Sequence, residues 1–311
     1  MAGFSVVTMV REDPAIIEHF ARYYAALGAD RIFICFDGYT PEPELAAQGR
    51  ELVVVDEDFW RIAGISRPDA LEARQHAAYA HCLARCETDW LLVVDCDEYV
   101  FGPRPVATFL DGVPQDVDGI RLRTAEAVWG EGDELSEPWG SSHFRLAFEN
   151  RLLWHVLRWV VYGTSARFFH RGMIGHVGGK QFVRTGRGVD EVRAHVSFRD
   201  GRMITRWADS LSTNAKGFHV GHFDAVGLPR WRAKWEKRFS GIGRVDHMRP
   251  ARRGQVRAIK RAFGKGGHAP EILFSRFYGL AGWRYKLLES LGLAFRRPLF
   301  TAPQEDDTHG Y

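Results

Sequence analysis

A chain of 311 residues with 45% apolar and 13% aromatic side chains can bury a sizeable core, which excludes wholesale disorder and leaves one large domain or two. The formal charge of +3 hides an asymmetry: from Arg230 to Lys265 thirteen Lys and Arg stand against two acids, a balance of +11 that leaves −8 for the rest. No apolar run approaches the roughly eighteen residues of a membrane span, since Leu152 to Val161 is interrupted by His155 and Arg158, and the N-terminus lacks the basic-then-apolar order of a signal peptide. A soluble, non-secreted, cytoplasmic protein is expected. Its four cysteines include no Cys-x-x-Cys pair and read as reduced thiols.

Phe4 to Val10 is a β-branched apolar run that predicts a first strand, stopped by Arg11-Glu12-Asp13. Pro14 opens a helix to Leu27, with Ile16, Ile17, Phe20, Tyr23, Tyr24 and Leu27 at three- and four-residue steps and Gly28 as its stop. Arg31 to Phe36 and Glu51 to Val55 predict two further strands, the first ending at Asp37-Gly38, and Asp69 to Cys86 predicts a helix. Strands alternating with helices imply right-handed crossovers and a mostly parallel α/β sheet. Gly119 to Arg123 alternates like a strand, Trp129 to Trp139 reads as a loop, and Leu152 to Val161 fits strand or helix. Gly175 to Gly188 carries five glycines around Lys180 and Arg184. Trp231 to Phe239, Gln255 to Phe263 and Phe274 to Leu291 predict helices, and Pro303 to Tyr311 an acidic, disordered tail. The expected division is a domain over 1–225, a basic helical extension over 226–302 and the tail over 303–311.

The chemistry gathers at Trp90-Leu91-Leu92-Val93-Val94-Asp95-Cys96-Asp97-Glu98-Tyr99, an unbroken apolar run of the kind buried on both faces of a sheet, ending in three carboxylates. In open α/β sheets ligands collect at the carboxyl ends of strands, and Asp95 and Asp97, two apart, suit a hard divalent cation and the phosphates it carries. An acidic turn after a core strand is also commonplace, so the flanks decide. The ends of three strands supply Arg11 and Glu12, Asp37, and Asp95 with Asp97 and Glu98, a set suited to a nucleotide: one carboxylate for base or ribose and a pair for the cation.

The order Val10-Arg11-Glu12-Asp13-Pro14, Leu27-Gly28-Ala29-Asp30, Asp37, Arg74-Gln75 to His81, Asp89-Trp90 and Asp95-Cys96-Asp97-Glu98-Tyr99 resembles the bacterial glycosyltransferase family 2-like proteins of GT-A fold, whose strand typically ends Asp-x-Asp-Glu-Phe. The likeness is strongest over residues 4–102 and returns in Gly179-Lys180-Gln181-Phe182-Val183-Arg184 and in His222-Phe223-Asp224 followed by Trp231, Lys234, Lys237 and Arg238. It implies a GT-A-like sheet flanked by helices and transfer of a sugar from a UDP- or GDP-sugar donor to a glycan or lipid-linked acceptor, with inversion and with Mn²⁺ or Mg²⁺ as cofactor. Residue by residue, it implies that Asp37 holds the nucleoside, Asp95 the ribose or a metal-bound water, Asp97 the metal, and His222 a further ligand that leans the set toward manganese. Arg11 and Glu12 would lie at the donor, Gln75 would line its pocket, and Lys180 and Arg184 would meet phosphate or acceptor. The proton acceptor is not fixed; of Glu126, Glu131, Asp133 and Asp190, the first choices are Glu131 and Asp133, in a Trp-bearing loop suited to stacking on sugar. The turn Asp37-Gly38-Tyr39-Thr40 departs from the family's commoner Asp-x-Ser-x-Asp.

Two other readings compete. Metal-dependent phosphohydrolases also place Asp-x-Asp after an apolar strand, but usually near the domain's start and followed by Gly-Thr. A non-enzymatic protein could use the basic segment on nucleic acid, although aromatics at four-residue spacing more often form a helix's core stripe, and nucleic acid is not an expected partner. The +11 balance and the Trp/Phe stripe of that segment instead suggest peripheral contact with the inner face of a membrane.

Overall fold

The computed structural model describes residues 1–211, 217–242 and 250–300; the expected tail at 303–311 lies outside them. Two compact units emerge, and neither is a continuous stretch: the first comprises 1–124 with 178–221, the second 125–177 with 222–311. Sequence order alone set a boundary at 225; in the structure residues 125–177 group instead with the C-terminal segment.

In chain order the regular elements are β1 (Phe4–Val10), α1 (Pro14–Ala26), β2 (Arg31–Phe36), β3 (Arg50–Val54), α2 (Glu57–Ala63), α3 (Leu71–Ala84), β4 (Trp90–Val93), β5 (Glu98–Phe101), α4 (Val106–Asp111), β6 (Gly119–Val128), β7 (His143–Leu146), α5 (Arg151–Tyr162), β8 (Lys180–Arg184), β9 (Glu191–Val192), β10 (Ser197–Arg199), β11 (Arg202–Met203), β12 (Thr205–Trp207), β13 (His219–His222), α6 (Leu228–Lys237), α7 (Pro250–Lys265), α8 (Ala269–Tyr278), α9 (Gly282–Ser290) and β14 (Ala294–Arg296). The α/β class expected from the alternation is the one observed, a mostly parallel sheet with flanking helices.

In the first unit β3, β2, β1 and β4 run parallel in that order, with Val7 opposite both Phe33 and Val93. Beyond β4 the direction changes: β8 is antiparallel to β4, and β6 is antiparallel to β8. Alternate residues Val7, Met9, Phe33, Cys35, Val53, Leu91 and Val93 meet Phe59 and Trp60 of α2 and Ala78, Tyr79 and Cys82 of α3 in one buried cluster. Burial of each large apolar side chain there stabilises the sheet by about 1.5–3 kcal/mol. Helix α1 starts as Pro14 suggests, with the Asp13 carboxylate accepting from the Ala15 N–H, and holds β5 through its tyrosines. Tyr24 donates to the Glu98 carbonyl at 2.9 Å and accepts from the Val100 N–H, while Tyr23 donates to the Val100 carbonyl at 2.7 Å.

In the second unit the last four residues of β6 pair antiparallel with β7, and β7 with β14. The ambiguous stretch at 152–161 is a helix, α5, because Asn150 caps it by accepting from the Leu152 and Leu153 N–H groups and one stripe, with Trp154 against Phe148, joins the buried cluster that the C-terminal helices share. The helix expected over Phe274–Leu291 is corrected to two, α8 and α9: Gly279 closes the first with its N–H on the Ser275 carbonyl, and Gly282 takes a left-handed φ of 59° that a continuing helix could not accommodate. Trp231 and Trp235 are buried with Phe274 and Ile259, so the four-residue aromatic stripe of the basic segment is a core stripe. Among the described residues no helix is long and apolar enough to cross a membrane.

Candidate functional site

The carboxyl ends of β1, β2 and β4 lie at one edge of the first unit's sheet and bring Arg11 and Glu12, Asp37, and Asp95 with Asp97 to that edge, as their parallel register requires. Arg11 and Glu12 are exposed. Asp37 is buried and held by two guanidiniums: Arg74 Nε and Nη2 reach its two oxygens at 2.9 and 2.8 Å, and Arg67 Nη2 reaches Oδ1 at 3.0 Å. Burial alone would raise its carboxyl, but Arg74 and then Arg67 hold it below the usual carboxylate range. The pair is bidentate, so the plane of Asp37 is fixed. Gln75 sits half-buried next to Arg74 on α3.

After Val94 the chain makes a tight turn whose closing bonds are reciprocal. The Glu98 N–H donates to the Asp95 carbonyl at 3.0 Å, and the Asp95 N–H donates to Glu98 Oε2 at 2.8 Å. Glu98 is therefore wholly buried beneath the turn, while Asp95 and Asp97 are half-buried. The register that sets Gln181 opposite Val93 puts Lys180 level with Val94, and its ammonium lies 2.6 Å from Asp95 Oδ2 and 3.2 Å from Glu98 Oε2. Burial would pull the Lys180 ammonium down, but the charges of Asp95 and Glu98 outweigh it and raise it above its ordinary value. Just before it, Gly179 adopts φ 69°, and a Cβ there would stand 2.2 Å from the Leu122 carbonyl oxygen, so only glycine lets β8 start so close to β6.

Arg184, at the far end of β8, lies over the Trp90 ring at 4.2 Å and donates to the Val117 and Pro114 carbonyls. These contacts tie β8 to the loop before β6 and are 117-to-184 structural links in their own right.

His222 belongs to the second unit, unlike Asp95 and Asp97. There, ring nitrogens of His222 and His176 lie within 4.8 Å of each other, and a carboxylate oxygen of Asp224 lies within the same distance of His222. Gly175 permits this approach: its N–H donates to Glu126 Oε1, and a Cβ would stand 3.0 Å from the His222 ring. Asp224 accepts from Lys234 Nζ at 3.1 Å and from the Tyr278 hydroxyl at 2.5 Å; burial would raise it, but Lys234 and Arg252 hold it well below its usual value. The spacing of Asp224, Lys234 and Trp231 noted in the sequence is thus a partly buried ion pair and a core anchor.

Of the acids considered as proton acceptor, Glu126 is fully buried on Arg145 and the N–H groups of Ile174 and Gly175. Asp190 accepts from the Asp200 N–H at 2.8 Å. Asp133 braces its own loop by accepting from His143 Nδ1 and the Gly130 N–H, both at 2.8 Å, and from the Ser142 hydroxyl, contacts that outweigh burial and lower its carboxyl. Glu131 is exposed. Of the two tryptophans in the loop expected to suit stacking on sugar, Trp129 is buried against Phe274 and Tyr278 and donates to the Glu134 carbonyl. Sequence reasoning missed Arg67, His176 and the structural part of Glu98; the one signal for the last was the third acid of Asp-x-Asp-Glu, followed by an aromatic.

The donor set suits a divalent cation. Asp95 and Asp97 are two partly exposed carboxylates at a strand end, a hard-oxygen pair, and the ammonium on Asp95 Oδ2 makes Asp97 the better anchor for a second positive charge.

No protein-family profile and no curated protein matches the chain. Solved structures to which it is similar include a mycobacterial protein, 14% identical with TM-score 0.33 over 62% of this chain and 58% of that one. Another is glucosyl-3-phosphoglycerate synthase from Mycobacterium tuberculosis in complex with Mn²⁺ and UDP-glucose, 17% identical with TM-score 0.28 over 40% and 44%. A third is GalNAc-T7 with UDP, GalNAc and Mn²⁺, 10% identical with TM-score 0.35 over 94% and 57%. Each similarity spans less than two thirds of the solved chain.

Proposed function

We propose that the chain is a metal-dependent glycosyltransferase that takes a UDP- or GDP-sugar as donor and a glycan or lipid-linked saccharide as acceptor. The observation that carries the reading is the pair Asp95 and Asp97, kept partly exposed at the end of a fully buried strand while Glu98 closes the turn beneath them. Asp97 is the proposed carboxylate for Mn²⁺ or Mg²⁺, and Asp95, with one oxygen on Lys180, is proposed to orient the ribose or a water. Asp37, fixed by Arg74, is the proposed nucleoside acceptor of hydrogen bonds. His222 is the proposed imidazole ligand. A bound divalent cation supplies charge neutralisation for the departing diphosphate. Among the acids proposed to take the acceptor's proton, Glu131 is retained because Asp133 is occupied in bracing its loop.

The nucleic-acid reading loses support, since Trp231 and Trp235, the aromatics that would stack on bases, face the core. The test is a donor screen: thermal stabilisation and hydrolysis of UDP-, GDP- and CMP-sugars with and without Mn²⁺, in the native chain and in Asp97→Asn. At least one donor should give Mn²⁺-dependent stabilisation and hydrolysis, with hydrolysis falling by about a hundredfold or more in the variant. No response to any donor, or an undiminished response in Asp97→Asn, overturns the proposal.

A further inference from the structure

Four of the large apolar side chains left exposed among the described residues fall on one helix. Leu152, Val156, Trp159 and Val160 of α5 are 73, 60, 50 and 54% exposed. Their spacing of four, three and one residues gathers them on one side of the helix, and the opposite side is the one that packs, with Trp154 and Val161 buried and Leu153 and Leu157 partly so. One edge of the exposed stripe carries Arg151, His155 and Arg158, and the helix contains no acid. The Arg158 guanidinium lies 5.1 Å from the Trp159 ring. From 149 to 171 four arginines stand against one glutamate.

A second basic helix of the same unit is fastened to the turn that follows it. The turn Gly163–Phe168 continues α5, and Gln255 of α7 donates to the Phe168 carbonyl at 2.6 Å and to the Ile174 carbonyl at 3.0 Å. While Ile259 and Ala262 of α7 face the core, Arg253, Arg257, Lys260, Arg261 and Lys265 are exposed, again with no acid in the helix.

We propose that α5 docks in the plane of an anionic lipid surface, with its apolar stripe among the acyl chains and α7 supplying cations for the headgroups. A convex apolar stripe with a tryptophan at its margin and arginines along its flank is the pattern of an interfacial helix. A second copy of the chain is the weaker occupant: the four side chains expose on the order of 450 Å², about half of what each partner of a stable dimer buries. The cations of α7 select for negative headgroups, each adding attraction that salt screens. The basic segment that the sequence suggested for membrane contact thus contributes charge, and the apolar part comes from a helix outside it. The proposal holds whether or not the chain transfers sugar.

The experiment is co-sedimentation of the full chain with phosphatidylcholine vesicles and with vesicles that also contain phosphatidylglycerol, at low and high salt. The intact protein should pellet with the anionic vesicles and be released by salt. Leu152→Ser/Val156→Ser/Trp159→Ser/Val160→Ser and, separately, Arg253→Glu/Arg257→Glu/Lys260→Glu should each lower partitioning by about tenfold or more, with unchanged melting temperature. Brominated lipid should quench part of the tryptophan emission, and Trp159→Phe should pellet as before but lose that part, a readout that does not depend on the quadruple variant folding. An intact protein that stays in the supernatant, a serine variant that pellets undiminished, or a native dimer that the serine variant turns into monomers would each overturn the proposal, the last by assigning the stripe to a second copy.

Discussion

Lys180→Met tests whether the acidic turn depends on a buried cation. With Nζ 2.6 Å from Asp95 Oδ2 and 3.2 Å from Glu98 Oε2, the attractions at an effective dielectric near 20 are about 6 and about 5 kcal/mol, offset in the native chain by the cost of taking the charges out of water. Removing the lysine removes both attractions and takes the ammonium away from Glu98, whose side chain is at 0% exposure; Asp95, at 37%, keeps water. A broken buried pair costs about 3–5 kcal/mol, and the hydration of Asp95 argues for the lower end, about 3 kcal/mol. The Lys180 ammonium is raised in the folded chain, so its contribution is fully present below the unfolded lysine value of about 10.4 and is lost only as pH rises through the higher folded value; the whole effect is available at neutral pH. Hydrogen exchange of the β4 and β8 amides at pH 7 should therefore quicken by about a hundredfold, since each 1.4 kcal/mol is tenfold in the opening equilibrium. Adding Glu98→Gln, which removes the buried charge that faced the ammonium but keeps an acceptor for the Asp95 N–H, should recover at least half of the loss. A loss below about 1 kcal/mol, or no recovery in the double variant, would refute the reasoning.

Arg74→Ala leaves Asp37 buried with only Arg67, and should cost about 2–3 kcal/mol at pH 7. Because Asp37 is depressed in the folded chain, its stabilisation is present above the unfolded carboxylate value and disappears as pH falls through the folded one, so the variant's acid-side loss of melting temperature should be shallower than the native chain's; parallel acid limbs would contradict this. Gly179→Ala should destabilise by about 3 kcal/mol or more, because the left-handed backbone and the Leu122 carbonyl at 2.2 Å leave no room for a Cβ, and a urea midpoint within error of the native one would show that β8 can shift. Glu131→Gln should change stability by less than about 0.5 kcal/mol, being exposed, yet lower transfer on the proposed reading by about a hundredfold; unchanged transfer removes Glu131 from the reaction.

The parallel half of the first unit was readable because its strands are buried on both faces and so carry unbroken apolar runs: Phe4–Val10, Arg31–Phe36 and Trp90–Val93 all lie where their sequence suggests. The split of 274–291 was not, since Phe274 through Leu288 sustains a helical period across Gly279 and Gly282, and the break comes from backbone conformation that hydropathy does not register. The strand-end acids were legible as a set, but what each does was not. Arg74 and Gln75 were read together as a motif; that Arg74 rather than its neighbour grips Asp37 depends on which side of α3 faces β2. The resemblance implies phosphate or acceptor for Lys180, and nothing local marks it as buried; only the antiparallel register of β8 against β4 places it by Asp95.

That placement gives the three carboxylates of the turn different work. Glu98 answers to the fold: it caps the Asp95 N–H, lies under the turn and is neutralised by Lys180. Asp95 is shared, one oxygen on the ammonium and the group as a whole still in contact with water. Asp97 is the acid of the three that this cation does not touch at salt-bridge distance among the described pairs, and it stands one residue away from the buried Glu98 with partial exposure. A dication brought to the turn meets an ammonium already seated at Asp95, and repulsion between the two charges favours its seat at Asp97. The same lysine that stabilises the turn therefore biases where a metal would bind, which is why Lys180→Met should strengthen the share of Asp95 in Mn²⁺ binding, read as a smaller loss of Mn²⁺-dependent stabilisation when Asp97→Asn is introduced into the lysine variant than into the native chain.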